Sequence, residues 1–125
     1  MAEKIRVLQG ESLEAGPSTS GMIRSQAFVT ESLWVGRVQT EANAFSDWHH
    51  HGEHTTYGCV VQGRLRFEFG PGGEENVEVG AGDFFMVPPH TIHREGNPGL
   101  EEQRLVVVRN GSGPTVVNVV GPEAT

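Results

Sequence analysis

The sequence predicts an all-β protein of a single domain, built as an antiparallel barrel or sandwich. Seventeen glycines and seven prolines divide the 125 residues into short segments. From residue 30 onward these segments are rich in Val, Phe and Thr. No run of a dozen residues carries an apolar stripe at helical spacing, so helix is not expected to contribute much. A chain of this length is expected to bury one hydrophobic core.

Eight segments have the length and composition of strands. The most regular is the segment 64–69, in which Leu65, Phe67 and Phe69 are predicted to face inward and the charged residues between them outward. Eight short strands joined by tight turns are typical of antiparallel barrels and sandwiches. The predicted strands are residues 32–38, 55–61, 64–69, 76–79, 83–87, 92–95, 104–108 and 115–119.

Glycine-rich turns are predicted between several of these strands. Gln62 and Gly63 form a short hairpin connection, residues 70–73 break the chain after Phe69, and residues 80–83 turn it before Phe84. Residues 1–31 are expected to form an N-terminal arm, with a loop over residues 9–21 and an edge strand over residues 5–8. The barrel is predicted to span residues 32–120 within the single domain of residues 1–125.

All six histidines lie between residues 49 and 93, in two clusters. Neutral imidazole is the commonest protein ligand for a transition metal. Alternate side chains of a strand point to one face, so His49 and His51 are expected to converge. By the same rule, His93 and Glu95 share a face of a second strand. Three nitrogens and one carboxylate would then meet, and a metal site is predicted.

The first cluster resembles the first motif of the cupins. That motif places H-x-H, three or four residues, a glutamate, six residues and a glycine. Here His49 and His51 are followed at that spacing by Thr56 and Gly63, so threonine stands where the family has its usual glutamate ligand. His50 is interpreted as a surface histidine.

The second cluster resembles the second cupin motif, G-x5-P-x-G-x2-H-x3-N. Gly82, Pro88, His93 and Asn97 match in register, and His90, also interpreted as a surface histidine, replaces the internal glycine. The two motifs together imply a double-stranded β-helix, the small jelly-roll barrel of the cupins, with a metal or ligand pocket at its mouth.

Two residues are candidates for the fourth protein ligand. In the pirin branch of the cupins, threonine also replaces the glutamate of the first motif, and an H-x-E in the second motif supplies the carboxylate. His93 and Glu95 resemble that arrangement, which implies Glu95 as the ligand. Alternatively His54, which has the same strand parity as Thr56, supplies a fourth nitrogen. Three histidines alone are the remaining possibility.

The expected cofactor is one divalent transition metal, Fe, Mn, Ni, Cu or Zn, because affinity order alone does not select among them. The resemblance implies a metal-dependent enzyme acting on a small organic molecule, either dioxygenase-like or a Lewis-acid isomerase, cyclase or decarboxylase. A non-catalytic barrel that binds or senses a small molecule is the alternative, and a structural dimer partner with a vestigial site is a third possibility.

Composition excludes several partners. Nine Lys and Arg against sixteen Asp and Glu give a net charge of −7 without any basic run, so neither nucleic acid nor an anionic membrane is expected to bind. A local Arg24, Arg37 or Arg94 remains available for one carboxylate.

Cys59 is the only cysteine, and no signal segment is recognised, so a cytoplasmic protein is expected. A homodimer is predicted, with the edge strand at residues 5–8 adding to a neighbour's sheet.

Overall fold

The computed structural model describes residues 4–17 and 21–123, which form two antiparallel sheets and almost no helix. Two short 3₁₀ turns, Gly10–Ser12 and Pro71–Gly73, are the helical elements of these residues. The strands are β1 Glu14–Ala15, β2 Met22–Val29, β3 Leu33–Thr40, β4 His49–His50, β5 Thr55–Gln62, β6 Arg64–Phe69, β7 Glu75–Gly80, β8 Phe84–Val87, β9 His93–Gly96, β10 Gln103–Asn110 and β11 Val117–Asn118. Among the same residues, no helix has the length and apolar character needed to cross a membrane.

The sheet topology is that of a barrel in which the chain from β3 onward passes back and forth between two layers, except at the β6–β7 hairpin, which stays in one layer. One sheet has the order β1-β2-β3-β10-β5-β8, and the other has the order β11-β4-β9-β6-β7. Their apolar faces pack against each other, because the buried core draws on both sheets. This architecture confirms the all-β, double-stranded β-helix fold.

Alternation along the strands explains why one face of each sheet is buried. In β10, Leu105 and Val107 are 1% and 2% exposed, whereas Val106 between them faces outward. In β6, Leu65 and Phe67 are buried as predicted, and Phe69 is half-buried against the core. Truncating a fully buried leucine such as Leu65 to alanine should cost about 2–5 kcal/mol of folding free energy.

The N-terminal region differs most from the sequence prediction. Met22–Val29 forms β2, which pairs with β3 inside the six-stranded sheet, although no strand was predicted there. Residues 5–8, predicted to be an edge strand, form no strand, and Ile5 and Val7 are 97% and 77% exposed. The predicted final strand shortens to Val117–Asn118. The sequence of β2 does not show a clear alternation of apolar and polar residues, because the charged residue Arg24 occupies one of its inward positions.

Two motif glycines occupy turns that only glycine adopts easily. Gly63 between β5 and β6 has φ 82°, and Gly82 between β7 and β8 has φ 89°. In this left-handed region a Cβ atom approaches the following carbonyl oxygen. Nothing lies within 4 Å of a Cβ atom built on Gly82, so backbone conformation alone restricts that position.

We expect Gly82→Ala to lower the free energy of unfolding by about 1–2 kcal/mol, because alanine must then adopt a left-handed conformation. Gly80→Ala is the matched control, since Gly80 ends strand β7 in the same turn without positive φ and its added Cβ has ordinary room. That control should be neutral or slightly stabilising. Urea unfolding curves measure both, and equal effects of the two substitutions would contradict the explanation.

Candidate metal centre

The predicted ligands begin with two histidines that face each other across neighbouring strands. Strand β4 pairs with β9, and His49 is the direct partner of His93 in that pairing. Their ring centres are 4.5 Å apart, and both side chains are essentially inaccessible to solvent. Directly opposed strand residues bring their side chains close on the same face of a sheet. Strand pairing therefore brings the two histidine clusters of the sequence together.

His51 and Glu95 complete the cluster. The His51 ring lies 5.0 Å from each of the rings of His49 and His93. Glu95, two residues after His93 in β9, turns its carboxylate to the same point. One donor atom from each of the four residues lies within 4.8 Å of all the others, and all four residues are buried. This donor set of three imidazoles and one carboxylate suits a transition metal.

Backbone carbonyls fix the orientation of each imidazole. The Nδ1 atoms of His49, His51 and His93 lie 2.9, 2.8 and 2.8 Å from the carbonyl oxygens of residues 47, 115 and 91. In His49 and His93, a neutral ring that donates its Nδ1 proton to the carbonyl keeps a lone pair on Nε2. Such contacts beyond the ligand itself hold a metal-binding imidazole in place.

Glu95 brings a negative charge to the centre of the cluster. Its Oε1 atom lies 3.3 Å from Nε2 of His49 and 3.5 Å from Nε2 of His93, and the latter nitrogen has no hydrogen-bond partner among the described residues. When both rings are neutral with Nδ1 protonated, lone pairs face a carboxylate in a buried site. A shared cation removes that repulsion, so the residues present fit a metal ion.

Burial and neighbouring charges keep two of the candidate ligands, His51 and Glu95, in forms that can bind a metal. Burial, followed by the positive charge of Arg109, lowers the pKa of His51 well below its usual range. Burial raises the pKa of Glu95, but the contacts with His49 and His93 outweigh it and hold this pKa well below its ordinary value. His51 is therefore neutral and Glu95 ionised at neutral pH.

The remaining histidines lie outside this group of four. His54 is buried, and its Nε2 lies 3.0 Å from the carbonyl oxygen of Gly113. His50 is half-buried, and its Nδ1 accepts a hydrogen bond from the amide of Gly52. His90 is exposed and has φ 56°, the left-handed conformation that the glycine of the cupin motif would adopt at this position.

Sequence reasoning missed Arg109. In β10, Arg109 follows Leu105 and Val107 as the next inward-facing residue. The predicted strand ends at residue 108 and therefore does not include it. Its Nε lies 3.2 Å from Nδ1 of His51, and its guanidinium lies 4.8 Å from the centre of the Trp34 ring. Burial, together with the charge of Arg24, lowers the pKa of Arg109 to about 9, so the group is a cation at neutral pH.

An apolar cavity of about 260 Å³ opens beside His93. It lies at the open edge between the two sheets, where β6 and β7 of one sheet face the edge strand β8 of the other. A concave, mainly apolar space with a few polar groups is the usual form of a small-molecule site. The lining residues are Phe67, Phe69, Val77, Met86, Val87, Pro88, Thr91 and His93.

The fold and the buried donor set define a β-barrel protein with a centre able to bind a metal. A family model described as a Cupin domain matches residues 36–109, which is more than half of the chain. The chain therefore belongs to the cupin family. No curated protein matches it significantly.

Several solved structures share the fold at low sequence identity. A conserved protein with a double-stranded β-helix domain from Klebsiella pneumoniae superposes with a TM-score of 0.74 at 20% identity, covering 93% of this chain and 98% of the other. The Cnp3 cupin domain of Schizosaccharomyces pombe gives 0.73 at 18% identity, covering 89% and 77%. Oxalate decarboxylase of Bacillus subtilis gives 0.68 at 20% identity, covering 82% of this chain but only 29% of that protein.

Proposed function

We propose that this cupin is a metal-dependent enzyme acting on a small organic molecule. The observation that carries the proposal is the buried group of three imidazoles and one carboxylate whose donor atoms lie within 4.8 Å of one another, beside a cavity large enough for a small ligand. His49, His51, His93 and Glu95 would hold one divalent ion, with Glu95 rather than His54 as the fourth ligand. Iron, manganese, nickel, copper and zinc are all compatible with this donor set.

The bound ion would supply Lewis acidity, or redox chemistry with oxygen, at coordination positions that the protein leaves open. The chain contributes the surroundings. The carbonyls behind His49 and His93 fix the ring orientations, and the apolar walls of the cavity exclude water from the reacting atoms. His93 belongs both to the ligand group and to the cavity wall, so a molecule in the cavity lies next to the ion.

Substitution of single histidines tests the metal site. We expect His49→Ala, His51→Ala and His93→Ala each to weaken metal retention by more than the 10–100-fold typical of changes behind a ligand. His50→Ala is the control, because His50 is adjacent in sequence but outside the ligand group. Metal content after loading and desalting, measured by mass spectrometry, gives the answer. Full occupancy in both His49→Ala and His93→Ala would overturn the proposed function.

The same measurement identifies the fourth ligand. Glu95→Gln should lower metal content, because it removes the negative charge that faces the Nε2 atoms, whereas His54→Ala should not. The reverse result would select His54.

Turnover distinguishes an enzyme from a binding protein. We expect the metal-loaded chain, incubated with a panel of small aromatic and aliphatic acids and ketones, to convert at least one compound, and the His93→Ala variant to convert none. Dependence of product formation on oxygen, followed by an oxygen electrode and mass spectrometry, selects dioxygenase-like chemistry. Product without oxygen selects a Lewis-acid reaction. Tight binding without turnover would favour the non-catalytic alternative.

We further propose that a second copy of the chain covers the outer face of β10, β5 and β8. Two adjacent cross-strand rows on this face carry no charged side chain, and Phe84 at its edge is 80% exposed. Because each copy carries a net charge of −7, two copies repel each other least where they meet through uncharged surface. The rows contain Val106, Cys59, Phe84, Val108, Tyr57 and Met86.

Sedimentation analysis tests this dimer. We expect the wild-type chain to sediment as a dimer at micromolar concentration and a Tyr57→Glu, Phe84→Glu double variant as a monomer, because the variant places charges within the apolar face. Leu100→Glu is the control, since this exposed leucine lies in the loop between β9 and β10. A monomeric wild-type protein would refute the proposal.

A further inference from the structure

The buried cation of Arg109 has no acidic partner in the part of the chain that the structure describes. Its side chain is 2% exposed, and no Asp or Glu of residues 4–17 and 21–123 lies within ion-pair distance of it. Its Nη1 atom is buried without a hydrogen-bond partner among these residues. An ionised group is costly to bury unless a partner compensates its charge. The position therefore favours an anion that the described residues do not supply.

Strand register places this cation close to both the ligand group and the cavity. In the six-stranded sheet, Arg109 of β10 pairs with Thr56 of β5, which in turn pairs with Val87 of β8. All three side chains are buried, and Val87 lines the cavity. The hydroxyl of Thr56 is also buried without a hydrogen-bond partner among the described residues. Two unused polar groups thus stand in one row between His51 and the cavity wall.

The charge of Arg109 and that of a bound ion would share one carboxylate. Glu95 is the one buried carboxylate of the described residues; it contacts His49 and His93, and its charge also favours the cation of Arg109. A divalent ion beside the guanidinium of Arg109 and this single carboxylate would leave an excess of positive charge at the centre.

The cavity adds a requirement for apolar character. At about 260 Å³ it has room for roughly nine non-hydrogen atoms, if each takes the volume of one water molecule. Phe67 and Phe69 from β6 and Val77 from β7 form one wall, and Val87 forms part of the other. A compact apolar group, such as one benzene ring, fits this volume.

We propose that the site takes a small organic acid with an apolar body. Its carboxylate would meet the ion and the unpartnered groups of Arg109 and Thr56, and its body would fill the cavity beside His93. This inference rests on the proposed function, because the ion forms part of the anion-binding site. It names Arg109 as the residue that selects an acid over an uncharged analogue.

Calorimetric titration of the zinc-loaded chain with three probes tests the inference. We expect 3-phenylpropanoate to bind at least tenfold more tightly than 3-phenylpropanamide, which lacks the charge, and than propanoate, which lacks the apolar body. Arg109→Gln should weaken binding of the acid at least tenfold and leave binding of the amide unchanged. Arg104→Gln, an exposed arginine of the same strand, is the control and should change neither.

Thr56→Val provides a second variant that keeps the shape of the side chain and removes a hydroxyl without a described partner. It should weaken binding of the acid about 2–10-fold, the effect of one hydrogen bond. Equal binding of acid and amide by the wild-type protein, or equal losses for both probes in Arg109→Gln, would overturn the inference. Zinc content is measured on every sample. Retained zinc without a preference for the acid refutes this inference alone, whereas failure to retain zinc refutes the proposed function.

Discussion

The antiparallel pairing of β4 with β9 is the constraint on which the centre depends. It sets His49 directly opposite His93, with both rings inside the barrel. Strand β4 is only two residues long, so this register is not maintained by a long ladder of its own. β9 lies between β4 and β6, and four registered pairs with β6 hold β9 in place. The core strands of the second sheet therefore determine where the ligands meet.

The interior of the barrel divides into an apolar region and a polar one. Val60, Leu65, Leu105 and Val107 form a dry core, whereas three histidines and Glu95 form a buried polar group next to the cavity that His93 lines. Buried polar groups in such number destabilise a fold unless they are hydrogen-bonded or paired with charge. The backbone carbonyls behind the histidines supply part of this compensation. The buried atoms without a hydrogen-bond partner among the described residues include Nε2 of His93, the hydroxyl of Thr56 and Nη1 of Arg109.

Strand alternation made much of this arrangement predictable from sequence. The H-x-H and H-x-E spacings place their outer residues on one face, and His49, His51, His93 and Glu95 do converge. Alternation was less informative where inward positions are polar. Arg24 in β2 and Arg109 in β10 look like surface residues by composition, so one strand was missed and the other was ended early. Sequence shows which residues alternate, but only strand register shows which polar residues face each other across the barrel.

Thr56, the threonine of the first motif, connects the choice of metal-binding residues with the kind of molecule proposed to bind at the site. A glutamate at position 56 would place a carboxylate beside Arg109 in the same cross-strand row, where it would balance the guanidinium charge. With Thr56 in that place, the buried carboxylate of the centre comes instead from Glu95 on the opposite sheet, in contact with His49 and His93. With the carboxylate at Glu95 on β9 instead of at position 56 on β5, the group still has four donor residues. Arg109 on β10 then has no acidic residue at the position next to it in its cross-strand row. A carboxylate brought by a bound molecule would restore that balance, so the same exchange that alters the cupin motif favours an anionic ligand.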